Sequence, residues 1–499
     1  MDAQTAILPN LGANTRIQIL MTSKKYSFRD PVGSVEVSNY MVRRTINQSY
    51  LTEVTDFLTH KFYQEIVIAR QITASFTDAN LSQMVNSAVS FNTIYHPLVP
   101  FIIYPYEWSA EMLHDAGQLT IALQCTALKY GFSLKDASAH NILFLDGRPI
   151  LCDILSFSRL SDLPVKLWLA KGQFERHFIL PFLAMRYNGT TNAQVFHTYR
   201  DGLAPNDIAK FMPLTSYLSK TVLGSVILPK LLTKIQRDPT KHKNDTKNNK
   251  PIQQPITVRQ ASSSQFQQFL YANLARNLGS KLGKAYKKIK ASSHWIDYHK
   301  LPHYQQIEKE KKREIVHTLM QQVRPQWVLD IGANCGEFSA VGLNCGANVV
   351  ALESDTATLN SLYHKFKGKK IYPLLANLAR PSPGYGWLNR ETIPLIDRLV
   401  NRKFDVVMVL AVIHHLLITE RIPLYEILSL LAQIAPRYLI VEWVENHDVM
   451  FKQLAGVNHP LYNHLNLDVF LQSVAEFFAV QQVIEVVFKT RYLIIATHL

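Results

Sequence analysis

Long apolar runs are missing from this 499-residue chain. No run reaches about eighteen apolar residues, the length that a transmembrane helix needs. The longest apolar stretch, 404–418, contains Asp405 and two histidines and therefore reads as a buried strand. The first residues lack the basic and then apolar layout of a signal peptide. The sequence predicts a cytoplasmic protein without a transmembrane segment.

Cysteine is also scarce, with four residues in the whole chain. None forms a C-x-x-C pair, so the sequence predicts neither a zinc site nor a disulfide framework, and it suggests no other metal ligand set. The four cysteines are Cys125, Cys152, Cys335 and Cys345.

Positive charge is concentrated in one part of the chain. The net charge is +15, and residues 221–320 contain 19 Lys and Arg against 6 Asp and Glu. Residues 236–262 are polar and punctuated by proline, which predicts a flexible basic linker. Residues 263–320 predict a basic helical connector, because leucines follow Phe266 at every fourth position up to Leu282. This helix either docks on one domain with a solvated basic face or presents that face to lipid, another anionic surface or nucleic acid.

The most informative pattern is Asp330-x-Gly332-x-Asn334-x-Gly336, which follows a short apolar strand. A helix at about 337–344 and a second strand at 349–352 come next, and Glu353 ends that strand. An acid at this distance from a glycine turn can accept hydrogen bonds from ribose hydroxyls. A dinucleotide site would need G-x-G-x-x-G to seat a pyrophosphate, but Asn334 and Glu337 stand at its second and third glycine positions, and Glu337 would repel the phosphates.

This stretch resembles motif I of the class I S-adenosylmethionine (SAM)-dependent methyltransferases. The resemblance implies an α/β Rossmann-like domain over 321–499, with a seven-stranded sheet that ends in an antiparallel hairpin, and SAM as its cofactor. Asp330 and Gly332 are expected to serve the methionine part, with Asn334 and Gly336 shaping the turn. The remaining expected cofactor residues are Glu353 at the ribose, Asn377 at the adenine and Leu410 beside the methionine.

Three residues are candidates for the proton acceptor that an oxygen nucleophile needs. His414 and His415 follow the fourth strand of the domain, and Glu442 ends the fifth. The alternatives are that one histidine packs or caps a helix and that Glu442 is an ordinary polar strand end. The loop 381–387 is interpreted as a lid over the substrate, or else as a plain connection.

The N-terminal half carries a second pattern. Asp136 is followed five residues later by Asn141, and a hairpin then leads to Asp153. This resembles the catalytic loop and metal-binding strand of protein kinases and aminoglycoside-type phosphotransferases, and it implies an α+β kinase-like domain over 23–235 with ATP and magnesium as further cofactors. No glycine-rich loop precedes it, and no V-A-I-K lysine is present, although Arg43, Arg44 or Lys61 could replace that lysine.

These absences favour a kinase-like scaffold or binding module, a pseudokinase, over an active kinase. An unrelated hairpin with chance acids remains the third interpretation, in which Asp136 and Asn141 cap turns.

Several segments together resemble a bacterial group of two-part methyltransferases that includes the NoeA-like nodulation proteins. They are S-F-R-D-P-x-G, P-Y-E-W-S, N-L-A-R-P-S-P-G-Y-G-W and I-H-H-L. The resemblance implies a methyltransferase and does not fix its substrate, and the first hypothesis is O- or N-methylation of a small-molecule or glycan-type acceptor. The alternatives are a bifunctional kinase-methyltransferase, a nucleic-acid methyltransferase that uses the basic connector, and a non-enzymatic interaction protein. Nucleic acid is not the expected partner, because residues 411–415 lack the N-P-P-Y motif of base-flipping enzymes.

Overall fold

The computed structural model describes residues 24–27, 30–38, 41–77, 92–163, 168–231, 264–287, 289, 306–435 and 437–499. The predicted linker 236–262 lies outside these residues, as does residue 23. No described helix combines the length and apolar character that crossing a membrane requires.

The N-terminal half begins with a five-stranded antiparallel sheet. Its strands are β1 (Lys24–Ser27), β2 (Gly33–Val37), β3 (Met41–Ile46), β4 (Phe76–Thr77) and β5 (Thr93–Pro97). They lie in the order β1-β2-β3-β5-β4. Two helices, α1 (Leu51–Thr59) and α2 (Lys61–Ile68), connect β3 to β4. Both helices bury aromatic side chains, which join the core of this half.

A helical layer with two short strand pairs follows. The strands β6 (Phe132–Leu134) and β9 (Phe157–Arg159) pair with each other, and β7 (Ile142–Leu145) pairs with β8 (Arg148–Leu151). The helices are α3 (Ala110–Lys129), α4 (Lys171–Phe174), α5 (Leu180–Asn188), α6 (Asn192–Thr198), α7 (Pro205–Ile208) and α8 (Lys220–Val222). The N-terminal half thus mixes helices and strands, as expected for an α+β domain, and its kinase-like character stays a prediction.

The basic connector contains two described helices, α9 (Ser264–Tyr286) and α10 (Gln306–Val323). Helix α9 packs along α3. Its buried positions are Gln267, Tyr271, Ala275, Leu278, Leu282 and Ala285. The predicted stripe is therefore wrong at its N-terminal end, where Phe266 is half exposed and Gln267 points inward to bond the carbonyl oxygens of Leu160 and Leu163. The docked interpretation suits this packing, and an anionic partner for the basic face stays a prediction.

The C-terminal half is built on a seven-stranded sheet. Its strands are β10 (Trp327–Ile331), β11 (Asn348–Glu353), β12 (Ile371–Leu375), β13 (Val406–Val409), β14 (Tyr438–Val444), β15 (Phe478–Val487) and β16 (Arg491–His498). They lie in the order β12-β11-β10-β13-β14-β16-β15. The first five pair in parallel, and β16 is antiparallel to β14 and β15. The predicted Rossmann-like sheet with a terminal antiparallel hairpin is confirmed.

Helices cover both faces of this sheet, so its central strands are buried and mostly apolar. The helices are α11 (Glu337–Asn344), α12 (Thr356–Phe366), α13 (Leu395–Arg402), α14 (Ile413–Ile418), α15 (Leu424–Ile434), α16 (Val449–Ala455) and α17 (Leu467–Ala475). Every residue of β12 and β13 is buried. Helix α10 precedes β10 and packs on α11.

The two halves share a polar and aromatic interface. Helix α3 packs on α12, where Tyr363 donates to a carboxylate oxygen of Asp115 at 2.7 Å. Deeper in the interface, Arg398 of α13 forms a two-pronged ion pair with Glu107. Both of these side chains are almost completely buried, at 5% and 1% exposure.

Candidate functional site

The turn after β10 brings the chain close to the loop after β13. Gly332 has a φ of +75°, and a Cβ at this position would lie 2.4 Å from Cγ2 of Val412. Glycine is required here both by its backbone conformation and by this close approach. Asn334 also has a positive φ of +49°, which asparagine tolerates better than most residues. The turn is fixed by hydrogen bonds from the N–H groups of Gly332 and Ala333 to the carbonyl oxygen of Leu352.

Two buried carboxylates flank this turn. Asp330 accepts a hydrogen bond from the Ser339 hydroxyl at 2.6 Å, and Glu353 accepts from the N–H groups of Asn334 and Asp355 at 2.8 Å each. Burial, together with the nearby Glu353, raises the pKa of Asp330 to about 6, although the hydrogen bonds from Ser339 oppose that shift. Burial also raises the pKa of Glu353, although its backbone hydrogen bonds oppose that shift. A ligand with positive charge and hydroxyl groups would stabilise both acids in their charged form.

A cavity of about 680 Å³ opens beside these acids. It lies at the carboxyl ends of β10 to β13, where the strand order reverses, and such switch points are where open α/β sheets bind ligands. Six of the predicted cofactor residues line it, together with one predicted catalytic residue: Asp330, Gly332, Asn334, Glu353, Asn377, Leu410 and His415. Gly336 is outside the lining and instead abuts Phe366, which a Cβ would approach to 2.6 Å.

One end of the cavity is closed by a small polar network. The amide of Asn377 donates to Glu420 at 3.1 Å, and Arg380 pairs with the same carboxylate at 2.6 Å. Leu378 and Leu416 add apolar surface there. This end therefore combines apolar surface with amide groups, as expected for a flat heteroaromatic ring.

His414 and His415 lie in the short helix α14, which follows β13. Only His415 lines the cavity. Burial lowers the pKa of His415, so the imidazole is neutral at pH 7 and able to accept a proton. His414 is buried, and its pKa lies well below the usual value because of burial and the neighbouring His415. His414 therefore packs inside the protein, as one alternative proposed. The prediction that it is a catalytic residue is corrected, because its side chain does not reach the cavity.

The prediction that Glu442 is a proton acceptor is also corrected. It is fully buried and does not line the cavity. Its carboxylate oxygens lie 2.6 Å from Nζ of Lys312 and 3.9 Å from Nη1 of Arg491. Lys312, by contrast, does line the cavity. Glu442 thus positions a lysine of the site and is not placed to accept a proton from a substrate.

The loop 381–387 contacts the N-terminal half and does not line the cavity, so the structure favours the interpretation as a connection over that as a lid. Ser382 donates to Glu107, and Tyr385 packs its ring 5.0 Å from that of Tyr106. Because residues 377 and 378 line the cavity, the same chain segment connects the candidate cofactor site to the other half of the protein.

In the N-terminal half, Asp136, Asn141 and Asp153 flank the β7–β8 hairpin. Asn141 and Asp153 share Ser156, which accepts from the Asn141 amide at 3.2 Å and donates to Asp153 at 2.8 Å. Asp136 accepts from the N–H of Ser138 at 2.9 Å. Asp153 also forms an ion pair with Arg44 of β3 at 2.9 Å. Of Arg43, Arg44 and Lys61, the three candidates to replace the kinase lysine, Arg44 is the one that pairs with Asp153.

Several site residues escaped the sequence reasoning. Lys309, Lys312 and Arg313 of α10 line the cavity although they precede motif I by about twenty residues. The sequence placed them only in a generally basic connector. Their spacing of three and four residues was a signal for a shared helical face. The described residues contain no cluster of three or more metal-ligating side chains.

Comparisons with known proteins give one sequence relative and several distant folds. No protein-family profile matches the chain. Nodulation protein NoeA of Rhizobium meliloti strain 1021 is 27% identical over 455 residues, which cover 90% of each chain. The N-methyltransferase NodS of Bradyrhizobium japonicum WM9 aligns with a TM-score of 0.28 at 8% identity, over 38% of this chain and 96% of that one. Magnesium protoporphyrin IX methyltransferase of Synechocystis PCC 6803 aligns with a TM-score of 0.28 at 14% identity, over 39% and 84%. Scores this low carry no argument about activity.

Proposed function

We propose that the chain is a SAM-dependent methyltransferase whose C-terminal half binds the cofactor. The observation that carries this proposal is the cavity at the switch point of the sheet, with Asp330 and Glu353 at adjacent strand ends and a glycine turn between them. The acids suit a ligand that bears an ammonium group, a sulfonium and ribose hydroxyls, and Asn377 with Leu378 suits an adenine. SAM would supply an electrophilic methyl group in this cavity.

The chain itself contributes alignment and proton acceptance. Holding two reactants in line is worth up to about 7–11 kcal/mol of the barrier. His415 is the one titratable side chain among the three original base candidates that faces the cavity, and it is neutral at pH 7. It accepts the proton that an acceptor hydroxyl loses as the methyl group is transferred, or the proton that the nitrogen of an amine acceptor loses once it has been methylated. The proposed acceptor class is a small molecule or glycan.

For the cofactor, isothermal titration with S-adenosylhomocysteine (SAH) tests the proposal. The full chain should bind SAH, and Asp330→Asn should weaken binding about 10- to 100-fold, because a charge-assisted hydrogen bond is worth about 1.5–3 kcal/mol. Absence of SAH binding to the wild-type chain would end the proposal.

For the base, a cell extract incubated with the protein and isotope-labelled SAM provides the readout. His415→Gln should lower labelling of the modified product at least tenfold, since general base catalysis contributes about 10²–10⁴. The matched control is His317→Gln, an exposed histidine of α10 outside the cavity lining. Equal labelling by wild type and His415→Gln would remove His415 from the mechanism.

The N-terminal half is proposed to be a kinase-like scaffold that does not transfer phosphate. A kinase uses the second aspartate to hold magnesium. Here that position, Asp153, already accepts from the Ser156 hydroxyl and from the N–H of Leu155 and pairs with Arg44. A cation in the site would have to displace a guanidinium that is only 10% exposed.

A thermal-shift titration with ATP and magnesium tests this second part. The wild-type chain should show no saturable shift. A shift that Asp153→Ala abolishes would show that the site binds the nucleotide, and the bifunctional alternative would then replace the scaffold.

A further inference from the structure

The cavity lining is divided by charge. Its acidic residues lie at strand ends, at the start of α11 and in the segment after α14: Asp330, Glu337, Glu353 and Glu420. Its basic residues come from two helices, with Lys309, Lys312 and Arg313 on α10 and Lys365 on α12. The acids are accounted for by a cationic cofactor, whereas the basic side is not.

Helix α10 turns only its cations toward the cavity. Residues 308–314 read Glu-Lys-Glu-Lys-Lys-Arg-Glu, so the sequence mixes both signs. Lys309, Lys312 and Arg313 line the cavity, and the three glutamates do not. Lys309 and Arg313 are four residues apart and lie on one face of the helix. The basic character of this side therefore results from placement rather than from local composition.

The three cations of α10 differ in how they are held. The Lys312 ammonium is 5% exposed and lies 2.6 Å from the buried carboxylate of Glu442. Its charge is already neutralised within the protein. Arg313 is exposed at the rim, and Lys309 is half buried. Arg313 and the exposed Lys365 of α12 can approach a ligand from solvent with little desolvation cost.

We propose that the Lys309 and Arg313 side of the cavity binds an anionic group of the methyl acceptor, a carboxylate or a phosphate. The inference rests on the proposed methyltransferase function and narrows its substrate class. A guanidinium binds either anion through two parallel N–H···O hydrogen bonds, and an ammonium one turn away adds a point charge. The cofactor brings a single carboxylate, whereas Arg313 and Lys365 of the lining are both exposed to solvent, so the basic side has capacity for a second anion.

The test uses the full chain saturated with SAH, titrated with sodium phosphate and, separately, with sodium acetate at constant ionic strength. A ligand that binds only the folded state raises the melting temperature in a saturable manner. The wild-type complex should show such a rise with at least one of the two anions, and the identity of that anion distinguishes phosphate from carboxylate recognition. The double variant Lys309→Gln, Arg313→Gln should require at least tenfold more anion for the same rise.

Lys311→Gln is the matched control, because Lys311 lies on the same helix, carries the same charge and does not line the cavity. It should respond to the anions as wild type does. Equal losses in the control and the double variant would indicate a general surface effect and overturn the proposal. The absence of a saturable rise with both anions in wild type would also overturn it.

A second comparison separates the acceptor from the cofactor. Methylthioadenosine lacks the amino-acid part of SAH, including its carboxylate. If the double variant weakens SAH binding tenfold while methylthioadenosine binding is unchanged, the two cations serve the cofactor and the proposal is wrong. If wild type binds SAH and no anion, only this inference fails; if it binds no SAH, the proposed function fails as well.

Discussion

The buried pair between Glu107 and Arg398 gives the sharpest prediction about how the two halves are held together. Glu107 accepts from both terminal nitrogens of Arg398, from the hydroxyl of Ser382 and from the N–H of Tyr104. Glu107→Gln keeps the shape of the side chain and removes its charge. Arg398 is then left 5% exposed without a counter-charge. Breaking a buried pair in this manner costs about 3–5 kcal/mol.

Hydrogen exchange of the segment 382–395 is the appropriate assay. The N–H of Ile393 donates to the Tyr104 hydroxyl at 3.0 Å and is released only when the halves part locally. At about 1.4 kcal/mol per factor of ten, the loss corresponds to roughly 100- to 4,000-fold faster exchange. Arg390→Gln, an exposed change in the same segment, should leave exchange within about twofold.

The single variants Glu107→Leu and Arg398→Met, together with their double variant, form a double-mutant cycle. Because each single change strands the other partner, the double variant should lose less than the sum of the two single losses. Exchange in Glu107→Gln within twofold of wild type would refute the reasoning, since it would mean that the pair contributes nothing to the closed interface.

Three further outcomes are expected. Gly332→Ala should weaken SAH binding at least tenfold, because its Cβ would meet Val412, whereas Gly346→Ala has a similar backbone strain but nothing within 4 Å and should bind SAH as wild type does. SAH affinity should fall as the pH drops through about 6, where Asp330 takes up a proton, and this dependence should be lost in Asp330→Asn; a flat profile in wild type would contradict it. Lys312→Met removes the nearer of the two cations beside the fully buried Glu442 carboxylate and should destabilise the C-terminal half by up to about 3–5 kcal/mol in urea unfolding, and a change below 1 kcal/mol would contradict the assigned pairing.

The sequence predicted the C-terminal sheet well because its signals are local. Helix α11 matches the prediction at both ends, and the turn residues around Gly332 face the cavity as expected. Periodicity and glycine placement carry this information within about twenty residues. The cofactor side of the cavity was therefore predictable before its geometry was known.

What failed depends on partners that are distant in sequence. Glu442 looked like a free strand-end acid, but it is occupied by Lys312, which lies 130 residues away. The loop around Ser382 looked like a lid, but it meets Glu107, 275 residues away. A single sequence does not indicate which residues pair across such distances. His414 and His415 were separable only by the helical phase of α14, which a six-residue helix does not reveal in sequence.

The shared interface also determines which pieces of the gene can be expressed separately. A fragment that begins at residue 321 would carry Arg398 and Tyr363 without Glu107 and Asp115, the partners that hold them in the whole protein. It would also uncover Tyr372, which is 1% exposed and faces Phe101. Such a fragment would expose an apolar and cationic face to solvent, so a stably folded fragment that contains the C-terminal half is expected to include the segment from about Pro100 onward.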